Sequence, residues 1–177
     1  MASANHRIGD KNKSFTVASY NCHGWNQASA FLSRMCDSND LNCDCIFLQE
    51  LWLTPANLYK VETFSDNYTF YGKSAMEKAV SISILKGRPF GGVGILLKNN
   101  LCKMVLFVKC LERISIVALN DTLFISVYLP SGRSQFEIDI ISKKLAEIEG
   151  TISIFPNHKL VWCGAFNLDL SSSCHTS

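Results

Sequence analysis

The chain has 177 residues, enough for one packed domain, and 47% of them are hydrophobic, which excludes a disordered polypeptide. Its net charge of +2 excludes a strong global field, so a polyanionic partner must be held by a local site. No apolar run approaches the roughly 18 residues of a membrane-spanning helix, and the polar start Met1 to Lys13 has no secretory h-region.

Met1 to Lys13 is expected to be a disordered lead, with one domain from Ser14 to Ser177. Phe15 to Tyr20 alternates and reads as a strand. Asn26 is expected to cap a helix from about Gln27 to Cys36, with Ala30, Phe31, Arg34 and Met35 giving a helical period. Cys45 to Gln49 is a short buried strand, and Pro55 suits the first turn of a helix reaching about Val61. Tyr68 to Tyr71 reads as a strand, Lys73 to Pro89 as a loop, and Gly91 to Leu97 as a strand. Three strands are predicted next, at Lys103 to Val108, Ile114 to Leu119 and Leu123 to Leu129, with a tight turn at Asn120-Asp121. Ser134 predicts a cap for a helix to about Glu149, with Phe136, Ile140, Ile141, Leu145 and Ile148 on one face. Lys159 to Trp162 is the last strand. Hairpins beside crossover helices predict mixed sheets flanked by helices.

Eight cysteines without a secretory signal read as reduced thiols, and predict an intracellular protein, cytoplasmic or nuclear. Cys43 and Cys45 lack a second pair at zinc-finger spacing, so they read as buried thiols.

Polar groups stand at the ends of several predicted strands: Asn21 after the first, Gln49 and Glu50 after the second, Tyr128 before Pro130-Ser131-Gly132, and Asn167 after the last. Open α/β proteins place working groups at such strand ends. Ala165 occupies a position suited to a catalytic side chain, yet a methyl group neither takes a proton nor holds a metal.

The segments Ser19-Tyr-Asn-Cys-His-Gly-Trp25, Cys45-Ile-Phe-Leu-Gln-Glu-Leu-Trp-Leu53, Gly87-Arg-Pro-Phe-Gly-Gly-Val-Gly-Ile95, Val127-Tyr-Leu-Pro-Ser131 and Cys163-Gly-Ala-Phe-Asn167 together resemble the endonuclease/exonuclease/phosphatase family. They are most similar to the endonuclease domain of LINE-type non-LTR retrotransposons, over about Ser14 to Leu170. The resemblance implies a four-layered α/β sandwich of two mixed sheets flanked by helices, and a magnesium-dependent phosphodiesterase acting on DNA. It implies that Glu50 holds the metal, Asn21 helps position metal or phosphate, and Gln49 supports Glu50. Tyr128 would contact the scissile phosphate, Asn167 would donate to a phosphate oxygen, and Arg88 and Tyr128 would contact nucleic acid.

The chain departs from the pattern in two places. The family's Gly-Asp-x-Asn motif has an aspartate where Ala165 stands, and loss of a general base removes about two to four decades of rate. The family's later Ser-Asp-His signature has no counterpart before Ser177, because His175 follows Asn167 too closely, so the fold is expected to be C-terminally truncated. His23 reads as a solvated loop residue. Three functions follow: an impaired DNA endonuclease domain of retrotransposon origin, a non-catalytic remnant, or a phosphatase acting on a small phosphorylated molecule. An incomplete sheet would expose an edge for self-association.

Overall fold

A computed structural model describes residues 6–10, 13–37, 42–82, 87–131 and 133–167. Among the described residues nine strands form two mixed sheets. The five-stranded sheet has the order β1 (His6–Asp10), β2 (Lys13–Asn21), β3 (Cys45–Gln49), β5 (Val93–Lys98), β4 (Tyr68–Lys73). The four-stranded sheet has the order β6 (Phe107–Leu111), β7 (Ile114–Ala118), β8 (Thr122–Leu129), β9 (Lys159–Phe166). The β2–β3 and β8–β9 pairs are parallel and all others antiparallel.

Three apolar clusters show that the layers number four. One lies between α1 (Trp25–Asp37) and the outer face of the larger sheet, where Trp25, Ala28 and Leu32 meet Ile46 and Leu48. The second lies between the sheets, with Phe15, Val17, Phe47, Ile95, Phe124 and Val161. The third packs α4 (Gln135–Ile152) on the smaller sheet through Ile141 and Ile148. Period-two alternation explains the division: Ile46 and Leu48 face the helix, while Cys45 and Phe47 face the other sheet.

Several expectations need correction. The supposed lead contains β1, which pairs with β2 as an antiparallel hairpin. Helix α1 starts at Trp25, not Gln27. The Gly24 carbonyl accepts from the Gln27 and Ala28 amides, so Asn26 lies inside the helix rather than capping it. After Pro55 the chain makes a 3-10 turn, Pro55–Asn57, before the one-turn α2 (Tyr59–Glu62). The expected loop holds a short α3 (Glu77–Ser81), and a 3-10 segment Asn99–Met104 replaces the start of the expected strand at Lys103. On α4 the buried residues are Ile141, Ile148 and Thr151, while Phe136 and Leu145 face solvent. The cap itself is as predicted: Ser134 Oγ accepts from the Glu137 amide, and Glu137 accepts from the Ser134 amide.

Candidate active site

Alternation carries the polar strand ends into the gap between the sheets. On β3, Gln49 continues the inward series of Cys45 and Phe47; on β2, Asn21 continues that of Val17. Asn21 and Gln49 are register partners. On β8, Tyr128 continues the series of Phe124 and Ser126, and its register partner on β9 is Ala165. The strand β9 runs past the expected Trp162 to Phe166, so Ala165 lies within the strand and Asn167 just beyond it.

Glu50 is held from two sides. Asn21 Nδ2 donates to its Oε1 at 2.9 Å, and His23 Nδ1 lies 3.3 Å from its Oε2. The His23 amide donates in turn to Asn21 Oδ1 at 3.2 Å. The Glu50 carbonyl accepts from the Gly24 amide at 2.9 Å, which ties the two loops together. Three residues here have left-handed backbones: His23 (φ 46°), Glu50 (φ 54°) and Trp52 (φ 52°). Such conformations are disfavoured for side chains with a Cβ and concentrate where a site fixes them. Sequence reasoning placed His23 in solvent; it is exposed, but it is also a partner of Glu50.

Gln49 does not hydrogen-bond Glu50. Its side chain is buried and spans the layers, accepting from Ser19 Oγ at 3.4 Å and donating to Ser126 Oγ at 3.4 Å. Its support for the site is structural, a polar tie between sheets below Glu50. Cys22, buried beside this network, has its thiol pushed up to about 12, first by desolvation and then by the Glu50 charge. Tyr128 is also raised, chiefly by burial, with Glu50 adding to the rise and Arg113 opposing it. The phenol therefore keeps its proton at neutral pH and is a donor. The Arg113 guanidinium lies 5.5 Å from the centre of the Tyr128 ring.

Arg88 stacks on Trp52, 4.1 Å from the ring centre, and helps line a cleft of about 380 Å³ with Gly24, Asn57 and Lys60. Asn167 is exposed, and its amide donates to the Leu129 carbonyl at 3.1 Å, so one of its two donors is already used. Gly164 is required by space: a Cβ there would lie 2.1 Å from the Val127 carbonyl oxygen. Ser171 to His175 lie outside the described residues.

A magnesium ion binds through one or two carboxylates and keeps several waters. Glu50 supplies one carboxylate, and among the described residues no three His, Cys, Asp or Glu side chains converge. This donor set fits a hydrated ion held by Glu50 with water as its other ligands, not a closed protein cage.

No family model and no curated protein matches the chain. Solved structures do. The 3' phosphatase NExo from Neisseria, bound to a product DNA hairpin, superposes with a TM-score of 0.64 at 17% identity, covering 86% of this chain and 58% of that one. An AP endonuclease from Archaeoglobus fulgidus gives 0.60 at 14% identity, covering 84% and 55%. The 3'-5' exonuclease NExo from Neisseria meningitidis gives 0.57 at 16% identity, covering 85% and 57%. The chain shares the fold of these structures over most of its length. The chain spans little more than half the length of each of these structures.

Proposed function

We propose that this chain is a phosphodiester-binding domain of DNA endonuclease type, derived from a LINE-type retrotransposon, whose hydrolytic step is impaired. One observation carries the reading: the gap keeps an anchored Glu50 and a protonated Tyr128, while Ala165 stands opposite Tyr128. Binding and catalysis are thereby separated. Tyr128 donates to a phosphate oxygen, and Arg88, backed by Trp52, supplies a cation beside the gap. Asn21 and His23 keep the Glu50 carboxylate aimed. A bound magnesium ion would supply charge to the phosphate oxygens, held at millimolar strength as a site with one carboxylate implies. At Ala165 nothing can orient or deprotonate an attacking water. A cysteine content read as reduced thiols suits an intracellular setting, cytoplasmic or nuclear.

A non-catalytic binding role is favoured over phosphatase action on a small molecule, because Arg88 and Lys60 extend cationic character beyond the immediate gap. The test is nicking of supercoiled plasmid with magnesium. The chain is expected to give no EDTA-sensitive nicking above background. Robust nicking that disappears in Glu50→Ala would overturn the impairment.

A further inference from the structure

A second concavity adjoins the gap on the far side of Arg113. It has a volume of about 460 Å³ and lies between α3, the β6–β7 turn and α4. Phe90 and Phe136, exposed by 58% and 75%, give it aromatic walls. Such side chains gathered around one groove call for an occupant. Its lining carries Lys78, Arg113, Lys143 and Lys144 against the single carboxylate Glu112. Lys144 is paired with Glu147 at 2.9 Å, which leaves three cations against one carboxylate. In a chain of net charge +2 this is a local excess. Arg113 borders both the groove and the Tyr128 ring, so the two sites adjoin at this residue.

We propose that this groove seats unpaired nucleotides of a single-stranded polynucleotide running on from the phosphodiester held at Tyr128. The inference rests on the phosphodiester-binding reading and specifies the form of the nucleic acid. Duplex bases are stacked on each other and offer no face to Phe90 or Phe136; unpaired bases do. The cations accept the phosphates between those bases, which an apolar peptide would leave unmatched. An acidic peptide would match the charge but would leave the aromatic walls without flat partners.

The experiment compares a blunt DNA hairpin with the same hairpin bearing an oligo(dT) or an oligo(U) tail, by fluorescence anisotropy on the 177-residue chain. The tail is expected to tighten binding about tenfold, as stacking of one base provides. Phe136→Ala, exposed and harmless to folding, should remove that gain and leave blunt-hairpin binding unchanged. Lys143→Gln should lower the salt slope of tailed binding by about one. Equal gains from both tails mark a strand site indifferent to sugar; a gain from one identifies its preferred strand. A tail that adds nothing, or a gain that survives Phe136→Ala, overturns the groove assignment while blunt-hairpin binding weakened by Tyr128→Phe still upholds the phosphodiester reading. Free oligo(dT) bound through Phe136 with no blunt-hairpin binding does the reverse. Competition by poly-glutamate as strong as by oligo(dT) would assign the groove to acidic protein and overturn the proposal.

Discussion

The strands β3 and β9 each deliver a candidate site residue, and they are built differently. All five residues of β3 are buried, with neighbours on both edges and apolar clusters on both faces. β9 has a described neighbour on one edge only, and Leu160, Trp162 and Phe166 on its outer face are exposed by 46%, 37% and 49%. A side chain is fixed no better than the backbone beneath it. Glu50 follows a strand locked from every side and is gripped by Asn21 and His23, whereas Ala165 and Asn167 ride on an edge.

The largest effect expected from this contrast is at Phe47, buried between the sheets against Phe124. Phe47→Ala should destabilise the fold by about 3–5 kcal/mol, read as a lower denaturant midpoint at unchanged slope. A loss below 1 kcal/mol, on the scale of an ordinary surface change, would mean that the layers are not packed as described. Next comes Gly164, where β9 meets β8. Gly164→Ala drives a Cβ against the Val127 carbonyl and should cost about 1–3 kcal/mol. A neutral result in the same titration would show that β9 moves freely, and would sharpen its contrast with β3.

These two positions also show what the residues disclosed in advance. Cys45 to Gln49 is legible because its apolar run is too short for a helix and includes the β-branched Ile46 and the aromatic Phe47, which favour a buried strand. Gly164 is legible as part of a motif, but the reason for it, the Val127 carbonyl, lies on another strand. The α4 cap is local chemistry and was readable from Ser134, while the part of Glu137 in it came with the structure. The buried face of α4 was not, because the apolar series from Phe136 to Ile148 is wider than the stripe the sheet covers. The His23–Glu50 contact has no signal in spacing. It arises because parallel pairing aligns Asn21 with Gln49 and both loops then turn through left-handed residues. Groups at strand ends could be singled out, but which of them touch depends on those turns.

Alkaline pH should separate the buried thiols from the solvent-facing edge. Burial raises the Cys22 thiol from its ordinary 9.0 to about 12 and Cys43 to about 11. Below about pH 9 both the folded and unfolded chains keep these protons, and no pH dependence comes from them. As pH rises further the unfolded chain deprotonates first, so stability falls between about pH 9 and 12. Thermal melts should therefore drop across that range. Cys22→Ala should flatten the fall by up to about 1.4 kcal/mol per pH unit. A fall of the same steepness in the variant would remove Cys22 from the account.

The smallest stability effect belongs to the bare face of β9, and it bears on association. Leu160 and Trp162 are exposed, and the Trp162 ring lies 5.9 Å from that of Phe166, so the patch is continuous along the strand. Little native packing is lost if it is changed, and the double substitution Leu160→Lys, Trp162→Lys should alter stability by no more than about 0.5 kcal/mol. The same change places charge on an edge strand, which is how sheets are kept from pairing with one another. We expect the parent chain to self-associate through this edge and the double variant to remain monomeric, as sedimentation velocity over a concentration series would read. A parent that stays monomeric at every concentration would show that neither the edge nor the apolar face of β9 drives association. A variant that melts several kilocalories lower would show that the face packs against something, and the distinction drawn between β3 and β9 would fail at its exposed end.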